Sequence, residues 1–599
     1  MATTADHLAD PELLETEWNL DPLVDGEGDS GVERQLEQAA ERATAFASAH
    51  AGKVSELDPP GLEAAMRELA EINDLIGRAA SYASLRFSTD TADPARGALL
   101  QKMQESATEI ETKLLFFELE WAALDDDRAE ELLGATGLDF CRHYLRSARR
   151  YRPHLLTEPE EKILAEKSIA SQSSWARLFG ELTAAIRVDI DDEQTPLDVA
   201  LSRLLDPDRE VRRRTAEAVT VALEPGLRTR AFIYNTLVHD KSVEDRLRSY
   251  PNWLASRNLS NEASDESVMA LIEAVHGRYD IPQRWYTLKA KLLGVDRLAD
   301  YDRSAPVLAE DVTFSFGDAR DLVLDTYEAF SPEAGGVTRR FFDERWIDAP
   351  VRPHKRGGAF CSYTVPSVHP YVLLNYTARR RDVLTLAHEL GHGLHAALAQ
   401  PRGIFQQGTP LTLAETASVF GETLVFGRLL DAASNDRERL SLLADRIDGA
   451  IATVFRQIAM NRFEHLIHTR RRSEGELSVD RINELWFDAQ SELFGDSVEI
   501  TDGYHSWWSY VPHFINTPGY VYAYAYGQLL ALSVYQRYRI EGESFVPAYL
   551  KLLSSGGSRS PQELGAIVGI DLADPGFWDS GLTLVEEQLT EAEALAGVS

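Results

Sequence analysis

Apolar residues recur at three- and four-residue spacing through residues 32–52, 60–88, 94–125 and 157–187, with Arg and Glu between them. That period puts the apolar side chains on one face of an α-helix, so these stretches are predicted as long amphipathic helices. LLFFELEWAAL (114–124) is apolar almost throughout and predicts a helix buried on several sides. Ser264-Asp265-Glu266-Ser267, ahead of VMALIEAV, has the make-up of a helix start. Two stretches interrupt the pattern. DIDDEQTPLDV, near 190–200, predicts a boundary between an N-terminal helical domain, 1–195, and a second domain, 196–599. SPEAGGV (331–337) reads as a loop inside the latter. Strand signals are clearest in GGAFCSYTVPSVHPYVLLNYT (357–377), where aromatic and β-branched residues are bounded by Gly and Pro. Helical periodicity then resumes in RDVLTLAHELGHGLHAALA (381–399) and again in LTLAETASVFGETLVFG (411–427). The pattern predicts a mainly α chain with a short extended region directly before a histidine-bearing helix.

Composition changes that picture little. The chain has 599 residues, enough for a large core, and a net charge of −35 from 96 acidic and 61 basic residues. An acidic surface repels a phosphate backbone, which disfavours nucleic acid as a partner and favours solubility. Only Cys141 and Cys361 are present, far apart, so neither a disulfide framework nor a CxxC metal clip is available. The N-terminal MATTADHLADPELLETEW lacks the basic-then-apolar order of a signal peptide, and a cytoplasmic location is expected. Between Asp502 and Arg537 there is no Asp, Glu, Lys or Arg. Histidines, prolines and tyrosines interrupt the segment, so it predicts burial in protein and no membrane span.

The helix at 381–399 carries the candidate chemistry. His388 and His392 are four apart and lie on one face, one turn above the other, where their ring nitrogens can converge on one Zn²⁺. Glu389 follows the first histidine and points aside, toward a water rather than the metal, as a general base requires. His395 shares the face but lacks the spacing of a third histidine ligand, so it reads as support or packing. A catalytic zinc needs a third protein ligand. Glu415 is set among small and apolar residues, where an unpaired carboxylate is unfavourable unless it binds a metal. Glu422, seven residues on, faces the same way and could instead hydrogen-bond a ligand histidine. Further along, HSWWSYVPHFINTPGYVYAYAYGQLL (505–530) offers His and Tyr donors for a tetrahedral oxyanion. Its tyrosines at 520, 522, 524 and 526 alternate, which by period alone suggests a strand running into a helix.

Together these segments resemble peptidase family M3, specifically its oligoendopeptidase F group. The resemblance begins at EWNLDPL (17–23) and passes through FDERWIDAPVRPHKRGGAFCSYTVPSVHPYVLLNYT (342–377). It continues through HELGHGLH, LAETASVFGE and VPHFINTPGYVYAYAYG to GFWDSGL (576–582). It implies a mainly helical, two-lobed metallopeptidase with a deep substrate channel and a small sheet beside the HExxH helix. An oligoendopeptidase F-type N-terminal domain (1–195) would precede an M3 catalytic domain (196–599). One Zn²⁺ per chain would be held by His388, His392 and Glu415, with Glu415 preferred to Glu422, and Glu389 would activate its water. His513 matches the histidine before the family's tyrosine cluster. Tyr520 and Tyr522 match tyrosines at the substrate carbonyl and the oxyanion, with Tyr522 favoured for the latter. Gly357, Gly358 and Tyr371 to Leu374 resemble the glycine loop and edge strand that bind peptide backbone by strand addition. The implied substrates are short oligopeptides cut internally. The alternatives are a zinc carboxypeptidase or dipeptidase of related helical fold, or a non-catalytic zinc- or peptide-binding relative. Oligomeric state is left open.

Overall fold

The computed structural model describes residues 4–308 and 312–597. It is 72% helical, which settles the class as mainly α. The described residues include seven short strands: β1 (Arg187–Ile190), β2 (Glu193–Pro196), β3 (Leu298–Ala299), β4 (Ile347–Pro350), β5 (Phe360–Ser362), β6 (Tyr371–Tyr376) and β7 (Val498–Glu499). Two compact units are each assembled from three separated stretches. One comprises 1–152, 311–431 and 534–571, and the other 153–310, 432–533 and 572–599. No helix among the described residues is long and apolar enough to cross a membrane.

The first unit contains helices Asp29–His50, Pro59–Thr89 and Pro94–Ala123, the last two starting where sequence chemistry requires. Asp58 and Asp93 cap the second and third, accepting from the amides of Gly61 and Ala95, with proline just inside each helix. Their apolar stripes bury Leu36, Ala39 and Phe46 on the first and Met66, Leu69 and Ile72 on the second, and the Phe46 ring lies 5.6 Å from Phe117 on the third. The 114–124 run is buried on one side only. Leu114, Phe117 and Trp121 face inward, whereas Leu115 and Leu119 are 51% and 41% exposed. The inward set follows the three- and four-residue period, and the leucines between belong to the outer face.

SPEAGGV is a helix, not a loop. Ser331 caps helix Pro332–Asp343 by accepting from the Ala334 amide. Gly335 is there because a Cβ would come within 2.7 Å of the Glu328 backbone. Its glycine marks close packing between helices rather than a turn.

Strands β4, β6 and β5 form one sheet in that order, with β6 parallel to β4 and antiparallel to β5. Tyr371 to Leu374 therefore lie on the central strand, correcting the expectation that they form an edge. The edge next to β6 is β5, paired Phe360 to Leu373 and Ser362 to Tyr371. Tyr371 is fully buried and its hydroxyl donates to the Asn19 carbonyl at 2.7 Å, an anchoring role. Gly357 and Gly358 are exposed in the loop leading into β5. The Asn375 side chain on β6 ties that loop down by donating to the carbonyls of Arg356 and Gly358.

In the second unit, the stretch near 190 is the tight β1–β2 hairpin. Asp191 and Asp192 both take positive φ at its tip, as the two central residues of such a turn must. Ser264 caps helix Asp265–His276 as its sequence predicts. The core around helix Arg456–Glu474 is aromatic, with Phe463 and Phe514 rings 5.1 Å apart and Tyr234 stacked on Phe514. The tyrosine run is helix Tyr522–Glu541 and not a strand. Tyr522 and Tyr526 share one face of it, one turn apart, while Tyr520 stands just ahead of the helix with its ring against Tyr524.

Candidate active site

Helix Arg380–Ala399 carries His388, Glu389 and His392, and helix Leu411–Asp431 carries Glu415 and Glu422. Gly391 lets the two helices meet. A Cβ there would stand 2.5 Å from the Ala417 carbonyl oxygen and 2.6 Å from Ser418 Cα, both backbone atoms that cannot step aside. Gly391→Ala should therefore wedge the helices apart, at about 1–3 kcal/mol of stability. Competition titration should show weaker zinc binding by this variant, and thermal melting a lower Tm.

At that separation the three candidate ligands converge. Glu415 Oε2 lies 3.4 Å from His388 Nε2 and 3.5 Å from His392 Nε2. Two atoms each about 2.1 Å from a shared ion at the tetrahedral angle stand roughly 3.4 Å apart, so the spacing fits one Zn²⁺. Among the described residues these three form the only His/Cys/Asp/Glu group with ligand atoms all within 4.8 Å of one another. His388 Nδ1 meets Glu422 Oε2 at 3.1 Å, which orients the ring with Nε2 toward Glu415. Ser418 Oγ donates to Glu415 Oε2 at 2.6 Å and fixes the carboxylate. Burial opposes a charge on His388, but Glu422 and Glu415 outweigh it and raise the imidazole to about 9. His392, with less acidic company, is pushed by burial down to about 4. His395 is buried beside the Tyr363 ring, and burial pushes it to about 3, so it packs as a neutral residue.

Glu389 faces a cleft of about 590 Å³ bounded by Phe360, Cys361, Tyr363, His388 and His392. The Cys361 amide donates to its carboxylate, while Oε2 is buried with no hydrogen-bond partner. Burial, reinforced by Glu415 and opposed by His388, raises this carboxyl to about 7. A carboxyl with one oxygen unpartnered, raised by burial to about 7 beside a metal-ligand triad, has the make-up of a proton-transfer group. The edge strand β5 lines the same cleft.

Residues 203–584 match the model of peptidase family M3, and residues 120–187 match that of oligopeptidase F. This chain belongs to peptidase family M3. An oligopeptidase PepF from Bacillus subtilis is 26% identical over 535 residues, covering 88% of this chain and 79% of that protein. In fold, the chain is similar to a candidate peptidase from Chlamydophila abortus, with a TM-score of 0.88 at 23% identity over 98% of both chains. The oligoendopeptidase-F of Enterococcus faecium superposes with a TM-score of 0.72 at 21% identity, covering 95% of this chain and all of that one. This M3 peptidase is thus a metalloendopeptidase acting on oligopeptides.

The remaining sequence-predicted residues of the M3 chain lie in its second unit. His513 opens a short helix, His513–Asn516, and is half-buried. Its Nε2 lies 3.1 Å from the Tyr524 hydroxyl, and its ring stacks parallel to Tyr520 at 6.3 Å. Tyr520 and Tyr524 meet edge to face at 5.2 Å. Tyr522 is not part of this group, contrary to expectation. It is fully buried, and its hydroxyl accepts from the Asn261 side chain at 3.0 Å. The tyrosine that joins His513 is Tyr524, 37% exposed, which a helical reading of the run would have paired with Tyr520. Ser418 and the β5 edge were also missed. The serine's signal was its place one turn after Glu415, on the same helix face.

Proposed function

We propose that this M3 peptidase is a zinc endopeptidase of short oligopeptides in which Glu389 is the general base. The observation that carries the reading is the convergence of His388, His392 and Glu415 with Glu389 beside them in one cleft. His388, His392 and Glu415 would hold a zinc ion, which when bound would supply Lewis acidity toward the scissile carbonyl and lower the pKa of a water toward about 7. Glu389 receives the proton of the attacking water and delivers it to the departing amine. Its carboxyl, raised by burial, is matched to both halves of that transfer. The β5 edge, Phe360–Ser362, offers main-chain groups to an extended peptide, aligning it by strand addition without reading its side chains. His513, Tyr520 and Tyr524 are assigned the developing oxyanion, to which ring and hydroxyl donors contribute a few kcal/mol.

The test is a quenched oligopeptide blocked at both ends. Internal cleavage is expected, with activity lost on chelation and restored by stoichiometric zinc. A requirement for a free C-terminus would assign a carboxypeptidase instead. Zinc should also raise Tm, because a ligand bound only by the folded state stabilises it by mass action. A melting curve indifferent to zinc would count against the site.

A further inference from the structure

The approach to the His513–Tyr520–Tyr524 group is a tight turn whose central peptide is gripped at both ends. The Tyr520 amide donates to the Thr517 carbonyl at 3.1 Å, closing a four-residue turn with Pro518 and Gly519 at its centre. Gly519 has φ +72°, which with proline before it is the signature of a type II turn. Types I and II differ by a half-rotation of the peptide between the two central residues. Here that peptide is Pro518–Gly519. Its N–H donates to Glu464 Oε1 at 2.8 Å, and its carbonyl accepts from Arg257 Nε at 3.4 Å. A flipped peptide would lose both partners. The same Arg257 guanidinium lies 5.9 Å from the Tyr520 ring centre, so one side chain holds the turn and the aromatic residue that follows it.

Glu464 has no other visible task. It is fully buried on helix Arg456–Glu474, and its second oxygen, Oε2, has no hydrogen-bond partner. A buried carboxyl engaged by a single amide is destabilising in itself, so its presence calls for a reason beyond packing. Burial, only partly offset by the Gly519 amide and Arg257, raises it to about 8, so at neutral pH it is an uncharged acid that accepts one hydrogen bond. Gly519 cannot be replaced as a fallback. It is buried, its φ is left-handed, and a Cβ would stand 2.8 Å from Leu254 Cδ1. Pro518 and Gly519 favour the type II form by themselves, and Glu464 and Arg257 add a direct hold on its central peptide.

We infer that Glu464 is a positioning residue for the reaction, holding the Pro518–Gly519 peptide in the one orientation that presents His513, Tyr520 and Tyr524 as a group. The inference rests on the assignment of that group to the oxyanion. Glu464, fully buried, would act on that group only through the turn.

Four variants test it in the full-length, zinc-loaded enzyme: Glu464→Ala, Glu464→Asp, Glu464→Gln and His513→Ala. Misplacing a catalytic group by an ångström lowers rate on the order of 100-fold. Glu464→Ala should show such a fall in kcat with KM little changed, since the β5 edge is untouched. Glu464→Asp keeps an acid but withdraws the acceptor from the Gly519 amide, and it should fall similarly even if the alanine variant does not fold. Glu464→Gln keeps a carbonyl acceptor and should restore most of kcat. Undiminished kcat in Glu464→Asp, or a glutamine variant as impaired as the aspartate one, would overturn the inference. His513→Ala separates the two levels. If it retains full kcat, the oxyanion assignment itself fails. If it loses kcat while Glu464→Asp keeps it, only the positioning role fails.

Discussion

Glu389→Gln should leave zinc bound at one ion per chain and lower kcat by about 10²–10⁴-fold, the usual share of general acid–base catalysis. Glutamine fills the same volume and keeps an oxygen to accept from the Cys361 amide, so the helix and the three ligands are undisturbed. What it removes is a site that can take a proton and give it back. Glu389 is not within the ligand triad, so metal content should not change. Zinc analysis and kcat measured on one preparation check this. A Glu389→Gln protein with full activity would remove the base from the reaction, and one that had lost zinc would make Glu389 a ligand.

Glu415→Ala should act in the opposite way, through the metal. It removes the carboxylate that both histidines face at 3.4 and 3.5 Å, leaving two ligands where a catalytic zinc needs three. Zinc affinity should drop by more than the 10–100-fold that follows loss of a supporting group. Two companion variants calibrate the scale. Ser418→Ala removes the hydrogen bond that orients Glu415, and Glu422→Gln weakens the partner of His388. Both should fall within that smaller range and recover activity at raised zinc. Competition titration gives the order, and a Ser418→Ala or Glu422→Gln loss as deep as that of Glu415→Ala would contradict the division between ligand and support.

Much of the site was legible because helical spacing is a strong geometric statement. His388 and His392 at four residues apart share a face whatever surrounds them, and a carboxylate among small apolar residues asks for a partner. The preference for Glu415 over Glu422 rests on its small-residue setting and on the family resemblance; in the structure Glu415 Oε2 faces both histidines and Glu422 Oε2 meets His388 Nδ1. The tyrosine run was misread for a local reason. Residues alternating at period two over a short span satisfy a strand and two helical stripes equally. What separates Tyr524 from Tyr522 is which stripe the rest of the second unit buries, and that is tertiary information. The same holds for SPEAGGV, whose Gly335 serves close packing, and for the β5 edge, since strand order in a sheet is not carried by any one strand. Glu464 left no signal in the chain, because its partner is a backbone amide 55 residues away.

The central claim is that one zinc, held by His388, His392 and Glu415, and one base, Glu389, hydrolyse internal peptide bonds. It is tested most directly by measuring bound zinc and cleavage of a doubly blocked quenched oligopeptide in a single sample, as metal is stripped and returned. Internal cleavage should be proportional to bound zinc, reaching its limit at one ion per chain, and absent from Glu389→Gln at the same occupancy. Cleavage that persists undiminished in the metal-free protein, or a fully zinc-loaded wild-type chain that cuts no peptide, would contradict it.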